Sequence, residues 1–205
     1  MTIFRTCTTV VLLLIIFSCA KREDDNRYEI YLAHYQRSVS INLPKQYDTL
    51  NIWNNYSDNI MDDRKYYRVQ NSNLPLLMES GFAFSTDITQ FEQFTISEPL
   101  SLGDEKFFPP FESKTWASEK KQMLEEEKVN IEVIIDSITI NNTDFGVLKV
   151  ISPYSDSIEK IIIFATNLDN ERIEFTFFTN LPQTDHFFQE SLAAMKTLEI
   201  YEDRI

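Results

Sequence analysis

The stretch Lys160–Thr179, KIIIFATNLDNERIEFTFFT, contains the clearest strand signals in the chain. Its first part is the continuous apolar run Ile161–Ala165, which is typical of a strand buried on both faces. Its last part, Arg172–Thr179, alternates polar and apolar residues, as a strand with one buried face does. Turn-forming residues, Asn167–Asn170, separate the two parts. We therefore predict an antiparallel strand pair, with Lys160–Thr166 in the interior of a sheet.

Further strands are predicted on both sides of this pair. The segment Tyr28–Tyr35 fits either a strand or a short helix, and the Asn- and Tyr-rich segment Gln46–Asn73 predicts a loop with short irregular strands. Elsewhere, apolar residues alternate with polar ones or form short runs that end at turn residues. The strands predicted in this way are Ser38–Pro44, Leu74–Ile88, Phe91–Leu100, Val129–Ile140 and Val147–Ser152.

Two segments have helical patterns. Ser113–Lys128 begins at a capping serine and consists mostly of good helix formers. Pro182 opens a second predicted helix, which runs to Leu198 and places Phe187 and Leu192 on one face. A leading strand, a middle helix, an antiparallel meander and a closing helix together predict an α+β fold, an antiparallel β-sheet flanked by helices.

Charge and glycine content exclude two classes of site. The chain has 32 acidic and 19 basic residues and a formal net charge of -13. Such a surface repels phosphate backbones, so we expect no nucleic-acid partner. The three glycines, Gly81, Gly103 and Gly146, are isolated from one another, which excludes a glycine-rich loop for a phosphate or a dinucleotide. We expect no cofactor.

The first residues have the pattern of an export leader that ends in a cysteine. Arg5 precedes the apolar run Val10–Phe17, which is far shorter than the roughly 20 residues of a helix that spans a bilayer. Residues 1–18 are therefore predicted to be a signal peptide. The two cysteines, Cys7 and Cys19, lie in or next to this leader, so the sequence after them offers no thiol for a disulfide or a metal.

Ile16-Phe17-Ser18-Cys19 resembles the lipobox of bacterial lipoproteins, with Phe17 bulkier than the residue usual at its position. The resemblance implies cleavage before Cys19, a diacylglycerol on its sulfur and an acyl group, such as palmitate, on the new N-terminus. Several acyl chains give lasting membrane attachment where one gives only reversible binding. We therefore expect an outer-membrane lipoprotein of the cell envelope, with residues 19–27 as a lipidated tether. The alternative is a coincidental cysteine in a leader.

The charged segment Lys21–Asp25 does not decide on which side of the outer membrane the protein lies. It resembles the short export signal of surface lipoproteins of Bacteroidota, which would place the protein on the outer face of the outer membrane. A solvated tether that faces the periplasm would have a similar composition.

Four blocks of the sequence together resemble the PsbP-like family. They are SVSINLPKQY, VNIEVIIDSITINNTDFGVLKV, the strand pair quoted above and FFQESLAAMKTLEI, the last being the most similar. This family groups the photosystem extrinsic subunit, the Ran-binding Mog proteins and many bacterial lipoproteins of unknown role. The resemblance implies an α/β/α sandwich over residues 28–205 and a small binding or scaffold module. The resemblance assigns no catalytic residue to this sequence.

The sequence contains no recognisable catalytic constellation. Glu190 lies one helical turn after His186, but an isolated pair of this kind is typical of a helix surface. His34 stands between Tyr31 and Tyr35 and is predicted to be a partly buried packing residue. We therefore expect a non-enzymatic protein without a metal site. A hydrolase with an unrecognised pair of acidic residues is the remaining enzymatic alternative.

Aromatic residues in the Asn-rich segment are the candidate binding residues: Trp53, Tyr56, Tyr66 and Tyr67. Aromatic side chains on loops often contact protein partners or sugars. They also commonly pack over the ends of a sheet. Our leading expectation is a lipid-anchored envelope protein that binds or scaffolds another protein. The second is a surface or periplasmic glycan-binding component that uses these aromatic residues.

Overall fold

The predicted leader and lipid site lie outside the part of the chain that the structure describes. The computed structural model describes residues 25–56, 63–74, 90–99, 112–127, 131–154, 157–169, 171–182 and 186–202. Cys19 and residues 1–18 are therefore outside it, as is nearly all of the predicted strand Leu74–Ile88. No helix within the described ranges is long and apolar enough to span a membrane.

The described residues form two antiparallel sheets and two helices. A large sheet has the strand order β3-β4-β5-β9-β8-β7-β6, and a small sheet has the order β1-β2-β10. The elements are β1 Asn26–Leu32, β2 Arg37–Leu43, β3 Thr49–Asn55, β4 Arg64–Gln70, β5 Glu92–Pro99, α1 Ser113–Glu127, β6 Glu132–Ile140, β7 Thr143–Tyr154, β8 Ser157–Leu168, β9 Glu171–Thr179, α2 Phe187–Met195 and β10 Glu199–Glu202.

The strand pair predicted from Lys160–Thr179 is confirmed. β8 and β9 pair antiparallel from Lys160 opposite Thr179 to Leu168 opposite Glu171. The turn between them includes Asp169 at a φ of 54°, a left-handed conformation that aspartate tolerates better than most residues. β9 is the middle strand of the large sheet and β8 lies beside it, so both are interior strands, as predicted.

The main core lies between the two sheets, on what we call the inner face of the large sheet. Alternate residues of β9, among them Phe175 and Phe177, meet Val39 and Ile41 of β2, and all four side chains are fully buried. α2 adds Met195 to the same core. The antiparallel sheet with helices is therefore confirmed, but one of its covering layers contains a second sheet that we did not predict.

The opposite, outer face of the large sheet is covered by α1 over β6, β7 and β8. Trp116 and Ala117 of α1 pack on Leu148, Val150 and neighbouring residues. The helix predicted at Ser113–Lys128 is confirmed over Ser113–Glu127.

The prediction of an irregular loop over Gln46–Asn73 is wrong. β3 and β4 are regular strands in full antiparallel register, from Thr49 opposite Gln70 to Asn55 opposite Arg64. Three of the Asn residues that suggested a loop, Asn51, Asn54 and Asn55, lie within this ladder. Pairing with β4 and the surrounding tertiary structure override the low strand propensity of asparagine.

Several boundaries also differ from the prediction. The strand-or-helix segment Tyr28–Tyr35 contains strand β1, which already begins at Asn26, within the predicted tether. α2 begins at Phe187, and Pro182 lies in a bend before it. β7 is longer than predicted, because the turn before it consists of only two residues. The short strand β10 was not predicted.

Candidate binding site on the β3–β4 hairpin

The hairpin brings two of the predicted binding residues together on the outer face. Trp53 of β3 lies directly across from Tyr66 of β4, and their rings stack at 5.1 Å between centroids with 12° between planes. The guanidinium carbon of Arg68 lies 4.3 Å from the centroid of the indole. The indole of Trp53 is therefore contacted by both a phenol ring and a cation, an arrangement that fixes its orientation.

The other two predicted residues lie elsewhere. Tyr67 points to the inner face, as expected for the neighbour of Tyr66 in a strand, and is only 2% exposed. Its burial raises the pKa of its hydroxyl, as does its hydrogen bond to Glu98. Tyr56 follows the end of β3 and is 71% exposed, with its hydroxyl accepting a hydrogen bond from Asn54. The four residues do not form one continuous surface.

A polar cluster on the inner face was not predicted. His34, in the turn after β1, contacts the carboxylate of Glu171 through Nε2, and its backbone N–H donates to Glu98 at 3.2 Å. The ring of His34 also packs edge-on against Tyr35, so its predicted packing role is confirmed. No local pattern could reveal the contact with Glu171, which is 137 positions away in the chain. These contacts fasten the turn after β1 to β5 and β9.

The described residues offer no metal centre. No three His, Cys, Asp or Glu side chains within the described ranges converge as a metal site would require. His186 is the N-cap residue of α2 and lies one turn before Glu190, and both line an open cavity of about 480 Å³ together with Asp25 and Asn42. A second cavity of about 800 Å³ lies beside the β6–β7 turn and is lined mainly by hydroxyl, amide and carboxylate side chains.

A chain of amide hydrogen bonds crosses the outer face from β3 to β5. Asn51 donates through Nδ2 to Oε1 of Gln70 at 3.0 Å, and Gln70 donates through Nε2 to Oε1 of Gln93 at 3.2 Å. Gln70 and Gln93 are buried, with exposed fractions of 3% and 0%. Together with Trp53 and Arg68, these amides make this part of the outer face polar, although most of it is buried.

The outermost strand of the hairpin leaves apolar side chains exposed. Among the described strands, β3 is an edge of the large sheet, and its residues Leu50 and Ile52 are 37% and 53% exposed. They lie across from Val69 and Tyr67 of β4, which belong to the core, so they extend the core surface to the sheet edge. β3 contains no proline and no charged residue, the devices that commonly protect an edge strand from pairing.

The hairpin also differs in charge from the rest of the chain. β3 has no charged residue, and β4 has the three basic residues Arg64, Lys65 and Arg68 and no acidic one. The two strands alone therefore carry +3, whereas Asp58, Asp62 and Asp63 in the segment between them bring residues 49–70 to a formal charge of 0, in a chain of -13. The sequence contained this signal, but it becomes meaningful only once the two segments are known to pair.

No protein-family model and no curated protein matches the chain. Solved structures similar to it include cyanobacterial PsbP from Synechocystis, with 10% identity, 90% of this chain and 98% of that chain covered, and a TM-score of 0.45. A Pseudomonas aeruginosa protein of unknown function has 12% identity, 84% and 95% coverage and a TM-score of 0.39. A Bacteroides thetaiotaomicron protein has 12% identity and a TM-score of 0.39, with 81% of this chain but only 46% of that chain covered. These likenesses identify no site residue.

Proposed function

We propose that the protein is a non-enzymatic, lipid-anchored protein of the cell envelope that binds a protein partner through the edge of β3. The observation that supports this most directly is the exposure of Leu50 and Ile52 on an edge strand without charged residues or proline. An extended segment of a partner could continue the large sheet, with main-chain hydrogen bonds to β3 and side-chain contacts at alternate positions. Exposed apolar surface of this kind commonly marks an interaction site.

The basic residues of β4 indicate the chemistry of this partner. Arg64 and Lys65 are partly exposed beside β3, and the two strands carry no acidic residue. An extended segment with alternating apolar and acidic residues would fit the apolar edge and the local positive charge together. The partner proposed here is therefore a protein with such a segment.

The glycan-binding alternative has less support. Sugars usually stack on an aromatic ring, and the ring of Trp53 is already contacted by Tyr66 and by Arg68. Tyr67, a second residue of the predicted glycan site, lies in the core. Tyr56 is exposed but lies outside this stack.

Crosslinking on β3 tests the proposed interface. A photo-reactive amino acid at Ile52, in the cells that produce the protein, should crosslink an extended acidic segment of one partner, which peptide mass spectrometry identifies. Ile134, 43% exposed on the opposite edge strand β6, is the matched control position and should give no such product. Equal products at both positions, or none at Ile52, would contradict the proposal. A second copy of this chain in the product would show self-association instead.

The anchor is tested separately. The support for it is the sequence Ile16-Phe17-Ser18-Cys19 after a short apolar leader. Cys19→Ala should move the protein from the membrane fraction to the soluble fraction and abolish incorporation of labelled palmitate. Cys7→Ala is the matched control and should change neither. Labelling that persists in Cys19→Ala would exclude the lipid site, with no consequence for the β3 interface.

A further inference from the structure

The outer face of β3, β4 and β5 carries a polar patch beside the part of the face that α1 covers. We define the polar patch as Trp53, Arg68, Gln93 and Thr95. Arg68 lies directly across from Thr95, and Gln70, the next residue of β4 on this face, lies across from Gln93. Gln93 and Arg68 are buried, whereas Trp53 and Thr95 are partly exposed residues.

The amide chain across the hairpin ends at an unsatisfied donor. Gln93 accepts a hydrogen bond from Gln70 at Oε1, but its Nε2 has no hydrogen-bond partner within the described part of the chain. Each bond in such a chain polarises the next one, which makes the terminal N–H groups better donors. Gln93 is 0% exposed, so a donor at this position needs an acceptor that the described residues do not provide there.

Two further atoms of the polar patch share this property. The indole Nε1 of Trp53 and Oγ1 of Thr95 are buried and have no hydrogen-bond partner among the described residues. An indole N–H can only donate, and a threonine hydroxyl can donate or accept. Native proteins leave few buried polar groups unsatisfied, and an unsatisfied group commonly marks a place for water, an ion or a ligand. All three atoms would be satisfied by an acceptor.

The local charge favours an anionic acceptor. The Arg68 guanidinium lies against the indole of Trp53 with a residue exposure of 4%, and strand β4, which contains Arg68, has no acidic residue. A carboxylate has two oxygens with about four lone-pair sites, enough for three donors. We propose that the polar patch binds a small organic carboxylate, which accepts hydrogen bonds from Trp53 Nε1, Gln93 Nε2 and Thr95 Oγ1.

This site is independent of the proposed protein interface. The polar patch lies on the outer face of the hairpin, whereas Leu50 and Ile52 lie on the inner-face side of the β3 edge. The crosslinking experiment at Ile52 can therefore fail while the carboxylate site is confirmed, and the reverse is also possible.

An NMR titration tests the proposal. The chain contains two tryptophans, so the full-length protein with ¹⁵N-labelled tryptophan, in detergent, should give two indole N–H signals. Trp53→Phe assigns them. Acetate and D-galacturonate should each shift the Trp53 signal saturably and leave the Trp116 signal in place. D-galactose, which lacks the carboxylate of galacturonate, is the matched neutral probe and should cause no shift.

Two isosteric variants separate ligand binding from structure. Thr95→Val removes the proposed donor without changing the shape of the side chain, and should weaken the binding of galacturonate roughly tenfold. Thr139→Val makes the same change at an exposed position on β6, and should leave the affinity unchanged. Unchanged affinity in Thr95→Val would overturn the assignment of that hydroxyl.

Other outcomes would overturn the proposal as a whole. If neither carboxylate shifts the Trp53 signal, while Thr95→Val raises the melting temperature, the unsatisfied atoms are only solvated or strained. If galactose binds as tightly as galacturonate, the site recognises hydroxyl groups and the carboxylate is not required. If Trp116 shifts together with Trp53, the probe acts on the whole molecule and not on the polar patch.

Discussion

Among single residues, Tyr67 shows how a strand can combine a core side chain with a polar contact. Its ring is buried against the inner face, and its hydroxyl lies 2.8 Å from the carbonyl oxygen of Tyr31 and 2.7 Å from Oε1 of Glu98. Because one hydroxyl has one proton, these two acceptors share it. The contact connects β1 to the large sheet and gives the buried carboxylate of Glu98, 1% exposed, a partner.

Glu92, at the start of β5, predicts a pH dependence of stability. Burial raises its pKa above the ordinary value, although Asn71 and Gln46 donate hydrogen bonds that lower it. The folded state therefore holds the proton more tightly than the unfolded state. The contribution of this group to stability falls as the pH rises from the ordinary glutamate pKa, about 4.3, to the raised value.

We expect Glu92→Gln to remove this part of the pH dependence. The free energy of unfolding of the variant, relative to the unmodified protein, should increase between pH 4 and pH 7, as measured by urea denaturation. Glu132→Gln, at an exposed position on β6, is the control and should leave the pH profile unchanged. A profile for Glu92→Gln that parallels that of the unmodified protein would contradict the expectation.

At the residue scale, the sequence could place some side chains of the candidate site but not others. Trp53 and Tyr66 were predicted to belong together, and they do meet. Tyr67 could not be separated from them, because a one-residue change of register moves a side chain to the opposite face and the strand itself was not predicted. The pairing of His34 with Glu171 depends on the tertiary fold and has no local signal.

Among the elements, the β6–β7 hairpin illustrates a turn whose residues determine its geometry. Ile140 pairs with Thr143, so the loop consists only of Asn141 and Asn142, with φ angles of 48° and 64°. Two successive positive φ angles are typical of a type I′ turn, in which asparagine and glycine are favoured. This explains why β7 begins four residues earlier than the strand predicted from Val147.

Substitution of Asn142 tests this geometry. Asn142→Ala should lower the free energy of unfolding by about 1 kcal/mol, because alanine tolerates a left-handed conformation poorly. Asn142→Gly should be at least as stable as the unmodified protein, because glycine has no Cβ to clash. Urea denaturation of the two variants measures the difference. If the alanine variant is as stable as the glycine variant, the turn is not of this type.

The strands differ in how well the sequence alone could predict them. β8 and β9 carry their own pattern, a continuous apolar run and a strict alternation, and needed no tertiary information. On the outer face of β3 and β4, side chains contact each other across the strands, as Trp53 does with Tyr66 and Asn51 with Gln70. β10 has only four residues, and it exists because β2 offers an edge for it.

Across the whole molecule, the two layers on the large sheet have unequal cores. The inner layer buries a continuous set of large aromatic and aliphatic side chains from both sheets and α2. The outer layer depends on α1, whose buried contacts come mainly from Trp116 and Ala117. The layer with less buried apolar surface should open more easily than the rest.

We therefore expect Trp116→Ala to release α1 locally. Loss of a buried tryptophan commonly costs about 3–5 kcal/mol, and here the cost should appear mainly as faster amide hydrogen exchange in α1. Amides of α2, on the other side of the sheet, should stay protected. Met123→Ala, at a 38% exposed position of the same helix, is the control. Equal loss of protection in both helices would show that the molecule unfolds as one unit.

The position of β10 also affects the order in which the protein can fold. β10 completes the small sheet by pairing with β2, and Ile200 meets Val39 across 161 positions of the chain (200 minus 39). During synthesis, β2 emerges early and must wait for nearly the whole chain before this partner appears. Contacts between such distant positions form slowly. If residues 1–18 act as the predicted export leader, this delay would favour passage through the membrane in an unfolded state, with the small sheet closing only after translocation.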